Sequence, residues 1–259
     1  RKKPDSSISV GLKLQKAGEV DAFVSAGSTG AVMAGSLFIL RPLEGVDRPA
    51  IGTLLPTART PVLMLDAGAN VDCKPHHLVQ FAHLGHIYAQ DLMGIERPRI
   101  ALLNIGEERE KGDELSVEAH QRLAGENGLH FVGNVEGRDI IRGACDVLVC
   151  DGFVGNVLLK FYESVAQFII GLLKREMQRT ETDLDLEDVF RVLDYSEYGG
   201  APLLGVGGVS IICHGQSPPK AIRNALRVAH QAVRSDIVAH VARELKELKA
   251  AAGPSKEAG

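Results

Sequence analysis

Five short segments of this 259-residue chain pair glycine with polar side chains in a way that suits an anion. They are Ala26-Gly27-Ser28-Thr29-Gly30, Asp66-Ala67-Gly68-Ala69-Asn70, Asn104-Ile105-Gly106-Glu107-Glu108, Asp151-Gly152-Phe153-Val154-Gly155-Asn156 and His214-Gly215-Gln216-Ser217. Each follows an apolar, β-rich run. Glycine lets backbone approach a ligand, and N–H groups opening a following helix favour negative charge. Any one of these turns could be an ordinary helix cap. Together they predict a crevice for a phosphate-like anion, with the backbone amides of Ser28, Thr29 and Gly30 as its most direct donors.

Other chemistries compete for the same residues. The first segment nearly matches the G-x-S-x-G nucleophile elbow, and Ser28, Asp151 and His214 fall in the chain order of an α/β serine hydrolase. Ala26 replaces the first glycine of that elbow, where a Cβ crowds the tight turn, and Ser28 and Thr29 could simply cap the next helix. Cys73, His76, His77, His83 and His86 crowd one stretch, but the H-E-x-x-H and C-x-x-C spacings of zinc sites are absent, so no metal is expected. Lys74, just behind the second turn, is the better functional candidate there. Gly205, Gly207 and Gly208 precede a strand, whereas a dinucleotide fingerprint follows one, so no nicotinamide cofactor is expected.

The elements that would hold these groups alternate in type. Strands are expected near 22–26, 50–55, 62–66, 100–104, 146–150 and 209–213. Helices are expected over 7–17, 30–40, 75–92, 114–125, 155–177 and 219–248. Such alternation implies an α/β fold with a mostly parallel sheet flanked by helices, whose strand ends would bring all five turns to one crevice. Residues 1–248 are read as the α/β catalytic domain, with a protruding helical segment around 165–195, and residues 249–259 as a disordered tail.

Composition bounds the setting. Hydrophobic residues make up 45% and charged residues 24% of the chain, an ordinary globular balance. The net charge of −4 argues against nucleic acid as a partner. Four cysteines without C-x-x-C spacing read as reduced and cytoplasmic. No apolar run reaches the roughly 18 residues of a membrane span, so the protein is expected to be soluble or to lie on a membrane surface. Val154, Leu158, Phe161, Val165, Phe168 and Leu172 form a stripe whose default reading is core burial. Lys174, Arg175 and Arg179 beyond it keep a membrane or acidic-protein contact open. Lys220, Arg223, Arg227 and Arg234 share one helical face and could dock an acidic partner.

Several segments resemble one family. Ser25–Ala31, Leu65–Pro75, Val132–Glu136, Cys150–Asn156 and Tyr198–Gly205 resemble, in order, the PlsX-type acyl-ACP:phosphate acyltransferases, and the likeness covers essentially the whole chain up to the tail. It implies transfer of a fatty acyl group from acyl carrier protein to inorganic phosphate at the start of phospholipid synthesis. It also implies an isocitrate dehydrogenase- and phosphotransacetylase-like architecture with a cleft between lobes, a homodimer and a peripheral membrane contact. Members usually begin with a further strand and a Gly-rich, Asp-containing turn that nothing before Arg1 supplies. Ser28 stands where many members carry Asn, which disfavours a covalent serine, because an amide cannot replace a nucleophilic hydroxyl.

Under that resemblance Ser28, Thr29, Gly30, Asn156 and Lys74 bind phosphate, and Lys160 or Asn70 stabilises the oxyanion. His214 protonates the departing sulfur and Asp151 orients one of these groups. A CoA-dependent phosphotransacetylase and a non-catalytic scaffold are the remaining alternatives.

Overall fold

The computed structural model describes residues 3, 5–180 and 198–251. Among these residues the chain forms, in order, α1 (Ser7–Lys16), β1 (Ala22–Ser25), α2 (Thr29–Ile39), β2 (Ala50–Leu55), β3 (Val62–Leu65), α3 (Pro75–Asp91), β4 (Arg99–Leu103), α4 (Glu114–Gly125), β5 (His130–Val135), α5 (Gly137–Ile140), β6 (Val147–Val149), α6 (Gly152–Thr180), β7 (Ala201–Leu204), β8 (Val209–Ile212), α7 (Pro219–Arg234) and α8 (Ile237–Ala251).

Local chemistry sets many of these boundaries. Ser6 accepts a hydrogen bond from the Ser9 amide to open α1, and Asp113 accepts from the Ser116 amide to open α4. Pro75 occupies the first turn of α3, where its missing N–H costs nothing. At the start of α6, Asp151 Oδ1 accepts from the amides of Phe153 (2.8 Å) and Val154 (3.0 Å).

The eight strands form one sheet in the order β1-β8-β7-β2-β3-β6-β4-β5. β1 pairs with β8 in parallel, as do β3 with β6, β6 with β4 and β4 with β5, whereas the β8-β7, β7-β2 and β2-β3 pairs are antiparallel. The sheet is thus mostly parallel, with an antiparallel centre. Along β3, Leu63 and Leu65 pack into one core with Phe81, Leu84 and Ile87 of α3, while Val62 and Met64 pack into the other with Leu12 of α1 and Val32 of α2. Both faces are covered, which explains why β3 reads as an unbroken apolar run.

The antiparallel centre corrects one expectation. β1 and β8 run opposite to β3, β6, β4 and β5, so the carboxyl ends of the strands do not share a single edge. The turn after β4 does not line the cleft for a separate reason: β4 runs with β3 and β6 but lies next to the outermost strand, β5. There Asn104 spends its side chain locally, donating to Lys111 O at 2.9 Å and accepting from the Ile105 amide at 2.8 Å.

Three further differences concern elements. β5 and β7 were not expected as strands. The expected last helix, 219–248, is two helices separated at Ser235 and Asp236, where Asp236 adopts φ 53°, a left-handed conformation that Asp tolerates better than most residues. The expected disordered tail begins inside α8, which continues to Ala251, and 252–259 lie outside the described residues. Of the protruding segment expected around 165–195, the part to Thr180 belongs to α6, and 181–197 also lie outside the described residues.

The stripe on α6 is corrected as well. Phe161 is 67% exposed and Phe168 66%, and Val154, Val165 and Leu172 are exposed, so that face is not core. α6 is long and apolar enough by length and composition to cross a bilayer, and only 6% of its most apolar window is buried. Its opposite face carries Asn156, Lys160, Glu163 and Gln167 and lines the cleft described below.

Buried His83 on α3 places Nε2 3.2 Å from Glu126 Oε2. Burial holds its pKa below the ordinary 6.5, with the Glu126 carboxylate opposing that shift. The folded state then binds this proton less readily than the unfolded chain, so stability is lost as pH falls from 6.5 toward the folded value. The expected result is a lower Tm at about pH 5.5 than at about pH 7.5, with a smaller difference in His83→Gln. An equal difference in both proteins would remove His83 as the cause.

Candidate active site

A cleft of about 520 Å³ opens across the middle of the sheet. Four of the five Gly-polar turns reach it, through Thr29 and Gly30, Ala67 and Gly68, Asn156, and His214 and Ser217. Ile51, Thr53, Leu54 and Leu55 of β2 and Ala201 and Pro202 of β7 form its floor, and Tyr198, Gly199 and Gly200 lead into β7. The two parallel flanks of the sheet therefore contribute from opposite directions, across the antiparallel centre.

The first turn offers the cleft a helix N-terminus. Ser28 is the N-cap of α2 but makes no side-chain cap hydrogen bond. Thr29 and Gly30 line the cleft, and a Cβ built on Gly30 would meet nothing within 4 Å, so the backbone there is open to a ligand. Uncapped N–H groups and the positive end of the helix dipole make this a place for an anion. The start of α6 contrasts with it, because Asp151 already caps the amides of Phe153 and Val154.

The glycines of the fourth turn serve packing rather than ligand approach. A Cβ on Gly155 would lie 1.9 Å from Asp66 O, and one on Gly152 would lie 2.7 Å from Asn70 O and Asp66 Oδ2. They let the first turn of α6 sit directly on the 66–70 turn. That turn is organised by Asp66, which is fully buried. Its Oδ1 accepts from the amides of Ile51 (2.9 Å) and Ala69 (3.2 Å), and its Oδ2 from the Asn70 amide (2.6 Å) and Nδ2 (3.0 Å). Burial raises the Asp66 pKa above the ordinary carboxylate value, against four hydrogen bonds that favour the anion. The result ties β2, the 66–70 turn and α6 together under the cleft.

The residues expected at the site are thereby sorted. Thr29, Gly30, Asn156, Lys160 and His214 line one cleft. Ser28 lies one residue outside the lining. Asn70 is buried behind it, with Nδ2 donating to Asp66 Oδ2 and to Pro49 O (2.9 Å). Lys74 sits at the N-cap of α3, its amide donating to His77 Nδ1 at 2.9 Å, and its side chain is not part of the lining. Asp151 holds the start of α6.

These positions do not assemble a hydrolase triad. His214 Nδ1, which a triad carboxylate would have to engage, accepts from the Gln216 amide at 3.2 Å, and Asp151 Oδ1 is taken by its own helix. Cys213, on the floor beside His214, has its thiol pKa raised by burial, which disfavours the thiolate a nucleophile needs. Of the histidine-rich stretch, His76 and His77 gather with Asp47, their ligand atoms within 4.8 Å of one another and His76 Nε2 3.0 Å from Asp47 Oδ2. None of the three lines the cleft.

Several lining residues were not singled out from sequence. Glu163, Ala166, Gln167 and Ile170 follow Asn156, Leu159 and Lys160 at three- and four-residue steps, so one face of α6 runs along the cleft. Continuing the helical spacing from Asn156 would have found them. Tyr88, whose hydroxyl pKa burial pushes up to about 12, and Thr53 come from α3 and β2.

The chain is similar to known proteins in both sequence and fold. A model of the fatty acid synthesis protein family matches residues 1–240. The chain is 54% identical over 256 residues to a phosphate acyltransferase of Desulforamulus reducens, covering 96% of this chain and 77% of that protein. It is 54% identical over 249 residues to one of Heliobacterium modesticaldum, covering 93% and 74%. Among solved structures, a branched-chain phosphotransacylase from Enterococcus faecalis aligns with a TM-score of 0.57 at 16% identity, covering 88% of this chain and 80% of that one. A phosphotransacetylase from Streptococcus pyogenes aligns at 0.59 and 19%, covering 87% and 67%. The structural likenesses establish a phosphotransacetylase-like fold, and the sequence identities are specific enough to go further: this chain belongs to the phosphate acyltransferase family.

Proposed function

We propose that the protein transfers a fatty acyl group from acyl carrier protein to inorganic phosphate, giving acyl phosphate and free carrier for phospholipid synthesis. The observation that carries this reading is the uncapped start of α2 facing a cleft that also holds Asn156, Lys160 and His214. The α2 amides, with Ser28 and Thr29, hold phosphate, assisted by the Asn156 side chain. A phosphate oxygen attacks the thioester carbonyl, and the C–O bond forms. The C–S bond then breaks with its electron pair on sulfur. Phosphate is anionic at neutral pH and a thiol leaving group has a pKa near 8.5, so positioning and charge stabilisation dominate the catalysis.

Roles divide by which protons are free. Asn70 has committed both amide hydrogens to Pro49 and Asp66, so Lys160 takes the oxyanion and Asn70 keeps the 66–70 turn in place. The imidazolium form of His214 gives its Nε2 proton to the departing sulfur and is left neutral, with Nδ1 then accepting the Gln216 amide. His214→Ala is expected to lower kcat by about 10²- to 10⁴-fold and to remove one limb of the pH–rate profile. An unchanged profile would take His214 out of the acid role.

The acidic carrier is read from exposed Arg223 and Arg227 on α7, whose helix passes the cleft mouth at Tyr198. Comparing acyl carrier protein with acyl-CoA at raised salt tests this, because only the carrier reaction should weaken steeply. Release of free carrier thiol that depends on phosphate supports the overall reaction, and phosphate-independent release contradicts it.

A second copy of the chain is the proposed cover for the exposed face of α6, with Lys174, Arg175 and Arg179 reaching an anionic membrane from the cytoplasm. Phe161→Lys with Phe168→Lys should halve the mass measured by light scattering. An unchanged mass would place the interface elsewhere.

A further inference from the structure

A second hollow of about 450 Å³ adjoins the cleft and shares three of its residues, Leu54 of β2, Tyr88 of α3 and Tyr198. Its lining is graded in burial and mixed in polarity. Tyr88, on the wall shared with the cleft, is 3% exposed, Leu92, Met93 and Val228 are half-buried, and Arg227, His230 and Gln231 of α7 are exposed. Arg227 stands three and four residues before His230 and Gln231, so α7 presents these side chains together. The hollow is thus a passage between the surface of α7 and the cleft.

Tyr88 adds an independent observation. Among the described residues no partner bonds its hydroxyl, the side chain's single polar atom. Burial pushes its pKa up to about 12, so it remains a protonated donor. A buried hydroxyl is costly to leave unpaired, and this side chain borders both spaces that a ligand can enter.

We propose that this hollow takes the phosphopantetheine arm of the acyl donor, with the Gln231 side chain bonding the arm's outer amide and the Tyr88 hydroxyl its inner one. The inference rests on the acyl transfer proposed above and extends it, because docking of the carrier at Arg223 and Arg227 leaves open how its thioester reaches His214. The arm is mixed in the same way as the hollow. It carries an anionic phosphodiester, then a dimethyl-substituted carbon, then two amides before the sulfur. Arg227 and His230 meet the phosphodiester at the surface, and Leu92, Met93 and Val228 offer apolar contact to the dimethyl carbon. Tyr88 then takes the amide nearest the sulfur, which lies in the cleft. Acyl carrier protein and CoA carry the same arm, so the passage recognises the arm and not the body beyond it.

The test compares kcat/KM for acyl-phosphopantetheine with that for the ethanethiol thioester of the same acyl group, both measured as acyl phosphate formed. The unaltered protein should prefer the thioester that carries the arm. Tyr88→Phe removes a hydroxyl that the fold does not bond, so Tm should not fall, and the preference should drop about three- to tenfold. Gln231→Ala, at an exposed position, should lower it by a similar factor. Acyl-carrier and acyl-CoA should lose equally in each variant. A loss confined to the carrier overturns the proposal by placing these residues against the carrier's protein surface. A preference unchanged in both variants also overturns it. Equal kcat/KM for the two thioesters in the unaltered protein removes the passage and leaves acyl transfer standing. No acyl phosphate from any thioester contradicts the reaction itself, and the passage falls with it.

Discussion

A Lys160→Met protein is expected to fold as the parent does and to form acyl phosphate about 10²- to 10³-fold more slowly, the loss typical of removing one oxyanion donor. Lys160 is exposed, and its methylene stem is replaced by one of similar length, so stability should change by less than about 0.5 kcal/mol. The loss should appear in kcat, because the oxyanion develops only in the transition state. A rise confined to the KM for phosphate would move Lys160 to the phosphate site. A kcat within about twofold of the parent would make it an ordinary surface lysine, which a position one turn into a helix otherwise suggests.

Gly155→Ala should have the largest effect on folding. Its Cβ would sit 1.9 Å from Asp66 O, a backbone atom fixed by the same turn that fastens β2. Overpacking of this kind costs about 1–3 kcal/mol or more, so Tm is expected to fall by roughly 5–10 °C. Activity should fall with it, because displacing the first turn of α6 moves Asn156 and Lys160 together. Gly171→Ala on the same helix is the control. A Cβ there meets nothing within 4 Å, and removing a mid-helix glycine should stabilise by up to about 1 kcal/mol. Equal behaviour of the two variants would remove the proposed contact between α6 and the 66–70 turn.

These two residues also mark how far the site was legible before the structure. Glycine beside a polar residue at the end of an apolar run is a strong local signal, and it located four of the turns that meet in the cleft. It did not separate a glycine that opens the backbone to a ligand, as at Gly30, from one that admits a neighbouring turn, as at Gly155. That distinction depends on which element packs above, and local pattern carries no such information. Strand direction was equally hidden. The run 50–55 reads alike whether its neighbours are parallel or antiparallel, so the antiparallel centre could not be seen, and strand order, which puts β4 and its 104–108 turn near the sheet edge, was hidden too.

The missed elements have local causes. β5 contains Gly133 at φ 100° beside a register shift opposite Ile100 and Ala101, and β7 has Pro202 as its second residue, so both depart from strand-like composition. On α6, apolar residues at three- and four-residue steps look the same whether they face the chain's own core or an external partner. Exposure of Phe161 and Phe168 decides between those cases, and periodicity cannot.

The most direct measurement of the central claim is hydroxylamine trapping of the product. The protein is incubated with acyl-carrier thioester, with and without inorganic phosphate. Acyl hydroxamate should accumulate only when phosphate is present, in step with free carrier thiol. Thioester loss at the same rate without phosphate, and without hydroxamate above the enzyme-free control, would contradict acyl transfer to phosphate in this cleft.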